Sequence, residues 1–179
     1  MKRSVNPFDY AGHICQAMQK GILLTTKSGQ NINTMTIGWG MVGIEWGKPV
    51  FVALVRECRH TKSMLDFSQE FTVNIPLDQA ERKILAYCGT KSGRETNKIL
   101  DMGLTLEAPI SGSTPGIRQF PLTLECKVLY QQRQDLSAIP QDICKKYYPE
   151  FAETQDPTLI SDCHTAYYAE IVNAYIIEE

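Results

Sequence analysis

The sequence has almost no net charge, no long apolar run and no paired-cysteine motif. Eighteen Lys and Arg stand against 20 Asp and Glu, a formal net charge of −2 over 179 residues. That balance removes any general electrostatic drive toward nucleic acid or an anionic membrane. It leaves room for a local basic cluster that takes a small anion. No window approaches the roughly 18 apolar residues that a membrane helix needs. Residues 1–10 hold Lys2 and Arg3 with no apolar stretch behind them, which argues against a signal peptide. The six cysteines, Cys15, Cys58, Cys88, Cys126, Cys144 and Cys163, form no C-x-x-C pair and no zinc-type spacing. The expectation is therefore a cytoplasmic protein with reduced thiols, packed mostly as small apolar side chains. Several catalytic signatures are also missing: a G-x-S-x-G elbow, H-E-x-x-H and paired catalytic carboxylates.

What is present is ordinary globular material: 43% hydrophobic and 21% charged residues, which excludes disorder. The length suits one domain, residues 1–179, with no repeat, low-complexity stretch or linker. Six segments read as strands. Gly21 to Thr26 is a short apolar run ending at the turn signal Lys27-Ser28-Gly29-Gln30. In Asn33 to Trp39, Met35, Ile37 and Trp39 share one face, while Thr34, Thr36 and Gly38 share the other. Pro49 to Val55 is a continuous Val-rich run, the pattern of a strand buried on both faces. Glu70 to Ile75 follows. Phe120 to Tyr130 alternates, with Phe120, Leu122, Leu124, Cys126, Val128 and Tyr130 against Thr123, Glu125 and Lys127. Thr165 to Ile177 is rich in Tyr, Val and Ile. Six strands separated by turn signals predict a closed or partly closed antiparallel barrel.

Helices are fewer. The sequence predicts them at Lys62 to Ser68 with Thr61 as N-cap, at Asp78 to Tyr87, at Glu95 to Met102 ending on Gly103, and at Ile139 to Tyr148 stopped by Pro149. Ala108 to Gly116 reads as a loop.

Three constellations carry possible chemistry. Arg56-Glu57-Cys58-Arg59-His60-Thr61-Lys62 follows the most buried strand and opens a helix. A helix N-terminus offers unpaired N–H groups and partial positive charge to an anion. Arg59 adds a forked guanidinium, Thr61 a hydroxyl and Lys62 a point charge, the set that a phosphate monoester wants. The same residues also fit a capped helix with a solvated basic face, and spacing alone leaves both readings open. Gly89-Thr90-Lys91-Ser92-Gly93-Arg94 looks like a phosphate loop but is not a Walker motif, because three residues separate its glycines and Arg follows. Arg94 and Lys98 share a helical face, again as an anion site or a solvated one. Asn33, Thr34, Met35 and Thr36 mix polar and apolar groups as the edge of a flat heteroaromatic ring requires, or as any half-exposed strand does. Cys163 and His164 are neighbours on a strand and point to opposite faces, which argues against a thiol or metal site.

In order and spacing, the segments Asn33–Trp39, Arg59-His60-Thr61 after the PVFVALV strand, Phe71–Pro76, Ser92-Gly93-Arg94 with Lys98, and the His164 strand resemble the flavin reductase-like family of FMN-binding split barrels. The resemblance covers roughly Lys20 to Ile177. It implies a mostly β, Greek-key split barrel with a few peripheral helices, assembled as a homodimer with FMN near the interface. It implies that Asn33, Thr34, Met35 and Thr36 lie along the flavin. The phosphate would then lie with Arg59, Thr61 and Lys62, with Arg56 nearby, and with Ser92, Arg94 and Lys98. His164 would border the pocket and touch flavin or substrate. Family members often carry Asp before the lysine matching Lys98, where this chain has Asn97. The implied activity is NAD(P)H-dependent flavin reduction, with electrons passed on to an acceptor. The alternative is a non-enzymatic FMN carrier that receives electrons from a redox protein. Neither reading involves nucleic acid or a membrane.

Overall fold

The computed structural model describes residues 1–78, 82–154 and 163–178. Strand β1 (Lys2–Ser4) and a single 3-10 turn (Pro7–Tyr10) lead into helix α1 (Ala11–Lys20). Strands β2 (Ile22–Ser28) and β3 (Asn31–Ile37) then form a hairpin. Its two-residue turn is Gly29-Gln30, and Gly29 supplies the positive φ of +59° that the turn needs. Next come β4 (Gly40–Glu45), β5 (Lys48–Arg56), α2 (His60–Ser68) and β6 (Glu70–Ile75). Helices α3 (Arg82–Thr90) and α4 (Lys98–Asp101) precede the short pair β7 (Leu106–Glu107) and β8 (Gly116–Ile117). The long strand β9 (Leu122–Arg133) is followed by helices α5 (Gln141–Tyr147) and α6 (Pro149–Thr154), and the long strand β10 (His164–Ile177) follows.

The main sheet runs β3-β2-β6-β9-β10-β5-β4, with β1 added beside β10, and its pairs are antiparallel. Its two end strands, β3 and β4, are consecutive in the chain and joined by Gly38-Trp39. Leu54 N of β5 donates to Trp39 O at 3.4 Å, carrying the β4–β5 pairing into that join. The sheet therefore curls until its ends meet, which is the split antiparallel barrel with peripheral helices expected from the sequence.

Inward side chains fill the barrel: Leu24, Phe51, Phe71, Val73, Leu124 and Tyr167 are buried, with Ile14 and Met18 of α1 packed against them. Phe51 and Phe71 meet edge to face at 6.4 Å. A second cluster, including Leu23, Ile84, Leu85, Ile99 and Phe120, seats α3 and α4 on the outer face of β2. A third, including Leu136, Cys144, Tyr148, Phe151 and Cys163, holds the helices between β9 and β10. At Gly40 a Cβ would sit 2.7 Å from Val52 O, so only glycine lets β4 come this close to β5.

Several expectations need correction. Helix α2 starts at His60 with Arg59 as N-cap, and Thr61 lies inside the first turn rather than capping it. The expected helix over residues 95–102 shrinks to Lys98–Asp101, because Asn97 caps it by accepting from Leu100 N at 3.3 Å. Residues 79–81 of the expected Asp78–Tyr87 helix lie outside the described residues, and α3 runs on to Thr90. Pro149 ends α5 and also opens α6, the first-turn position where its missing N–H is harmless. The register of β9 against β10 shifts between Tyr168 and Ala169, and the alternation breaks there. Tyr130 consequently turns outward and is half exposed. Thr123 and Glu125, the expected polar face, are buried under the 108–116 loop. Glu125 accepts there from Ile110 N at 2.6 Å and Ser111 N at 2.9 Å.

Candidate functional site

The end of β5, the first turn of α2, strand β3 and the 90–98 segment converge on one groove. It consists of two cavities of about 230 and 170 Å³ that share Met35 and Arg59. Strand β3 forms the floor. By strand alternation Asn33 and Met35 point into the groove, while Thr34 and Thr36 point behind it. The Thr34 hydroxyl donates to Leu24 O at 3.3 Å and accepts from Thr25 Oγ1 at 3.1 Å. The Thr36 hydroxyl donates to Leu85 O at 2.7 Å and anchors α3. Of the four expected β3 residues, Asn33 and Met35 line the larger cavity, Met35 and Thr36 line the smaller one although the Thr36 hydroxyl is turned to α3, and Thr34 serves the scaffold.

The larger cavity is cationic. Arg59, His60, Lys91, Arg94 and Lys98 line it together with Asn33, Thr61, Ser92 and Gly93, and no Asp or Glu does among the described residues. Arg59 Nη1 donates to Gly89 O at 3.3 Å, and Arg94 Nη1 to Cys58 O at 3.2 Å. Lys98 is only 4% exposed, and its Nζ donates to Thr34 O and Cys88 O, both at 3.0 Å. Burial, with Arg59 adding to it, pulls the Lys98 pKa below the usual lysine value. Asn33 Nδ2 donates to Thr61 Oγ1 at 2.8 Å, tying β3 to α2. The loop closes tightly: a Cβ on Gly93 would lie 2.1 Å from Asn33 Oδ1 and 3.0 Å from His60 Cδ2.

The smaller cavity is bordered by Trp39 and His164, with Arg56 and Arg59 beside them, and Tyr147 and Tyr148 pack against those two rings. Trp39 stacks on His164 at 4.7 Å, Tyr147 meets Trp39 edge-on at 5.1 Å, and Tyr148 meets His164 at 5.8 Å. His164 Nδ1 hydrogen-bonds the Tyr148 hydroxyl at 2.7 Å. Arg56, opposite His164 in the β5–β10 register, donates to Tyr147 O at 3.3 Å. The sequence placed His164 and Arg56 near the pocket, and they line this end.

Lys62 is the expected site residue that the fold takes elsewhere. Its Nζ bonds Asp66 at 2.6 Å and lies 3.5 Å from Glu57. Burial opposes its charge, but Asp66 and Glu57 outweigh burial and raise its pKa. Sequence reasoning missed Trp39 and His60 as lining residues, although His60 stood inside the quoted Arg56–Lys62 run, and it missed Tyr147 and Tyr148, which pack against Trp39 and His164. Trp39 sits in Gly38-Trp39-Gly40-Met41-Val42-Gly43, which has G-x-G-x-x-G spacing. This run joins β3 to β4 and opens no helix, so it has none of the geometry of a dinucleotide fingerprint.

A model of the family described as "flavin reductase like domain" matches residues 17–179. The chain belongs to this family. Flavoredoxin of Desulfovibrio vulgaris (Miyazaki F) shares the fold at a TM-score of 0.64 and 19% identity, over 88% of this chain and 69% of that one. An FMN-binding domain of a flavin reductase-like enzyme from Shewanella baltica OS155 gives 0.63 and 16%, over 98% and 77%. An uncharacterised protein of Archaeoglobus fulgidus is 28% identical over 97 residues, a match spanning 54% of this chain and 54% of that protein's length. At 16–19% identity the two solved structures show a shared fold. Among the described residues, no helix is long and apolar enough to cross a membrane.

Proposed function

We propose that this chain binds FMN along the β3 groove and acts as an NAD(P)H-dependent flavin reductase. One observation carries the reading: a cavity lined by Arg59, Arg94 and Lys98 at the start of α2, with no carboxylate lining it among the described residues. Cations gathered without counter-charges repel one another, and a phosphate relieves them. The donor set fits a monoester phosphate in number and kind, and Gly93 lets the loop backbone approach it as a side chain would not. FMN fits better than a phosphate-free flavin for the same reason.

In this reading Arg59, Ser92, Arg94 and Lys98 hold the phosphate, helped by the free N–H groups of the first turn of α2. Thr61 acts through Asn33, fixing its amide against β3. Met35 gives the ring an apolar face, and Asn33 offers a polar contact along the groove. His164, oriented by Tyr148, and Trp39 border the ring end, where they exclude water and position a nicotinamide donor. When bound, flavin supplies the hydride and electron chemistry, so the protein needs no classical general base. Homodimerisation is part of the proposal. It is supported by Met41, Ile44 and Trp46, which are exposed on the edge strand β4 and its turn.

The test is direct. Purified protein should bind FMN, seen as fluorescence quenching, and should then oxidise NADH or NADPH with FMN turnover. Binding without oxidation by either donor would favour a carrier fed by a redox protein. Absence of FMN binding would refute the assignment. Light scattering at micromolar concentration should give twice the chain mass.

A further inference from the structure

His60 stands among four cations, yet its own chemistry is unaccounted for. It opens α2 and lines the larger cavity, and its Nδ1 is buried with no hydrogen-bond partner. A buried polar nitrogen without a partner costs about 1–3 kcal/mol. Nδ1 is closed off from the cavity; the opposite edge of the ring, Cδ2 with Nε2, is the one beside Gly93, so a ligand in the cavity would meet Nε2.

The charged and titratable groups around His60 come from every element packed there. Arg59 precedes it, Cys58 lies in the turn before that, Cys88 is on α3, Lys91 and Arg94 are on the loop, and Lys98 is on α4. Among the described residues, none lining the cavity is a carboxylate. With no anion present, burial, then Arg94 and Lys98, hold the imidazole below its ordinary pKa. A neutral imidazole has one donor and one acceptor nitrogen, whereas the protonated ring has two donors. A phosphate dianion offsets part of the cationic field and offers acceptors. It gives the ring reason to take a proton from solvent.

Building on the FMN reading above, we propose that His60 is a proton-coupled phosphate ligand, neutral in the free protein and imidazolium when the phosphate dianion is in the cavity. No bond other than N–H changes, and the proton comes from water. The flavin mononucleotide therefore binds together with a proton. Its affinity falls as pH rises above the range where the complex holds that proton. Below about pH 6 the phosphate itself protonates, and affinity weakens there for a separate reason.

The chain has three histidines, His13, His60 and His164, so the imidazole nitrogens can be followed individually by NMR. At pH 7.5, adding FMN to the wild-type protein should move the His60 ring signals from the neutral to the imidazolium pattern, and adding riboflavin should not. The variant His60→Gln identifies the signals. It should also flatten the rise of FMN Kd between pH 6.5 and 8.5, which in wild type is several-fold. Calorimetry in two buffers of different ionisation enthalpy should find proton uptake with FMN in wild type and a loss of that uptake in the variant. Lys98 also titrates low, but it is present in both proteins, so the difference belongs to His60. FMN bound with His60 still neutral, or the same shift with riboflavin, would overturn the proposal while leaving FMN binding intact. Failure of wild type to bind FMN would remove both.

Discussion

Arg59→Ala gives the sharpest test of where a phosphate would sit. Arg59 is shared by both cavities, is partly exposed and caps no helix with its side chain. In the protein without ligand its guanidinium makes one long hydrogen bond, 3.3 Å to Gly89 O. Losing that bond costs at most about 0.5–1 kcal/mol of stability. The melting temperature should therefore fall by no more than roughly 2–4 °C. Toward a phosphate the same fork makes charge-assisted bonds worth about 1.5–3 kcal/mol each. Partial exposure screens this, so a net loss of about 2 kcal/mol is expected. That is about a thirtyfold rise in FMN Kd. The assay is fluorescence titration with FMN and riboflavin in parallel. The loss should appear with FMN and be nearly absent with riboflavin. An equal loss for both would place Arg59 against the ring rather than the phosphate, and an unchanged FMN Kd would refute the site.

Other substitutions separate the two ends of the groove. Trp39→Ala removes the ring stacked on His164 and should weaken FMN and riboflavin alike, by roughly 0.5–1.5 kcal/mol, in the same titration. Lys62→Ala should leave FMN affinity within about twofold, because Lys62 is paired with Asp66 and Glu57, and should cost at most about 1 kcal/mol of stability in urea unfolding. Gly93→Ala drives a methyl group into Asn33 Oδ1, displacing the amide from Thr61. FMN Kd should rise roughly fivefold, with a stability loss near 1 kcal/mol. Gly40→Ala meets backbone, Val52 O, instead of a movable side chain, and should lower stability by about 1–3 kcal/mol in chemical unfolding.

The strands with strong periodicity or β-branched runs were legible in the sequence, as PVFVALV and the Asn33–Trp39 alternation show. The β4 strand was not, because Gly40 and Gly43 interrupt its pattern and Met41 and Ile44 lie outward. Helix α1 escaped because Gly12, His13 and Gln16 dilute its apolar stripe. In β9 a register shift that no local pattern announces reversed the outward and inward faces. At the candidate site, the cations Arg59, Arg94 and Lys98 could be picked out as residue types, and the fold brings them together. Which side chains of Asn33–Thr36 face the groove follows from β3 alternation once the floor is known. The diversion of Lys62 to Asp66 could not be read with the same assurance, because an i,i+4 pair on a helix competes with a ligand on equal terms.

The helices that leave the sheet after Arg133 carry Tyr147 and Tyr148 to the aromatic end of the groove, and the strands close again beneath them. Arg133 pairs with Thr165, and Gln134 N donates to His164 O at 2.9 Å. Among the described residues, the cationic cavity takes no lining residue from α5, so substitutions at Tyr147 and Tyr148 should change the ring end of the groove and leave the cationic cavity unaltered. Helix α5 is thus a lever on one end of the groove alone.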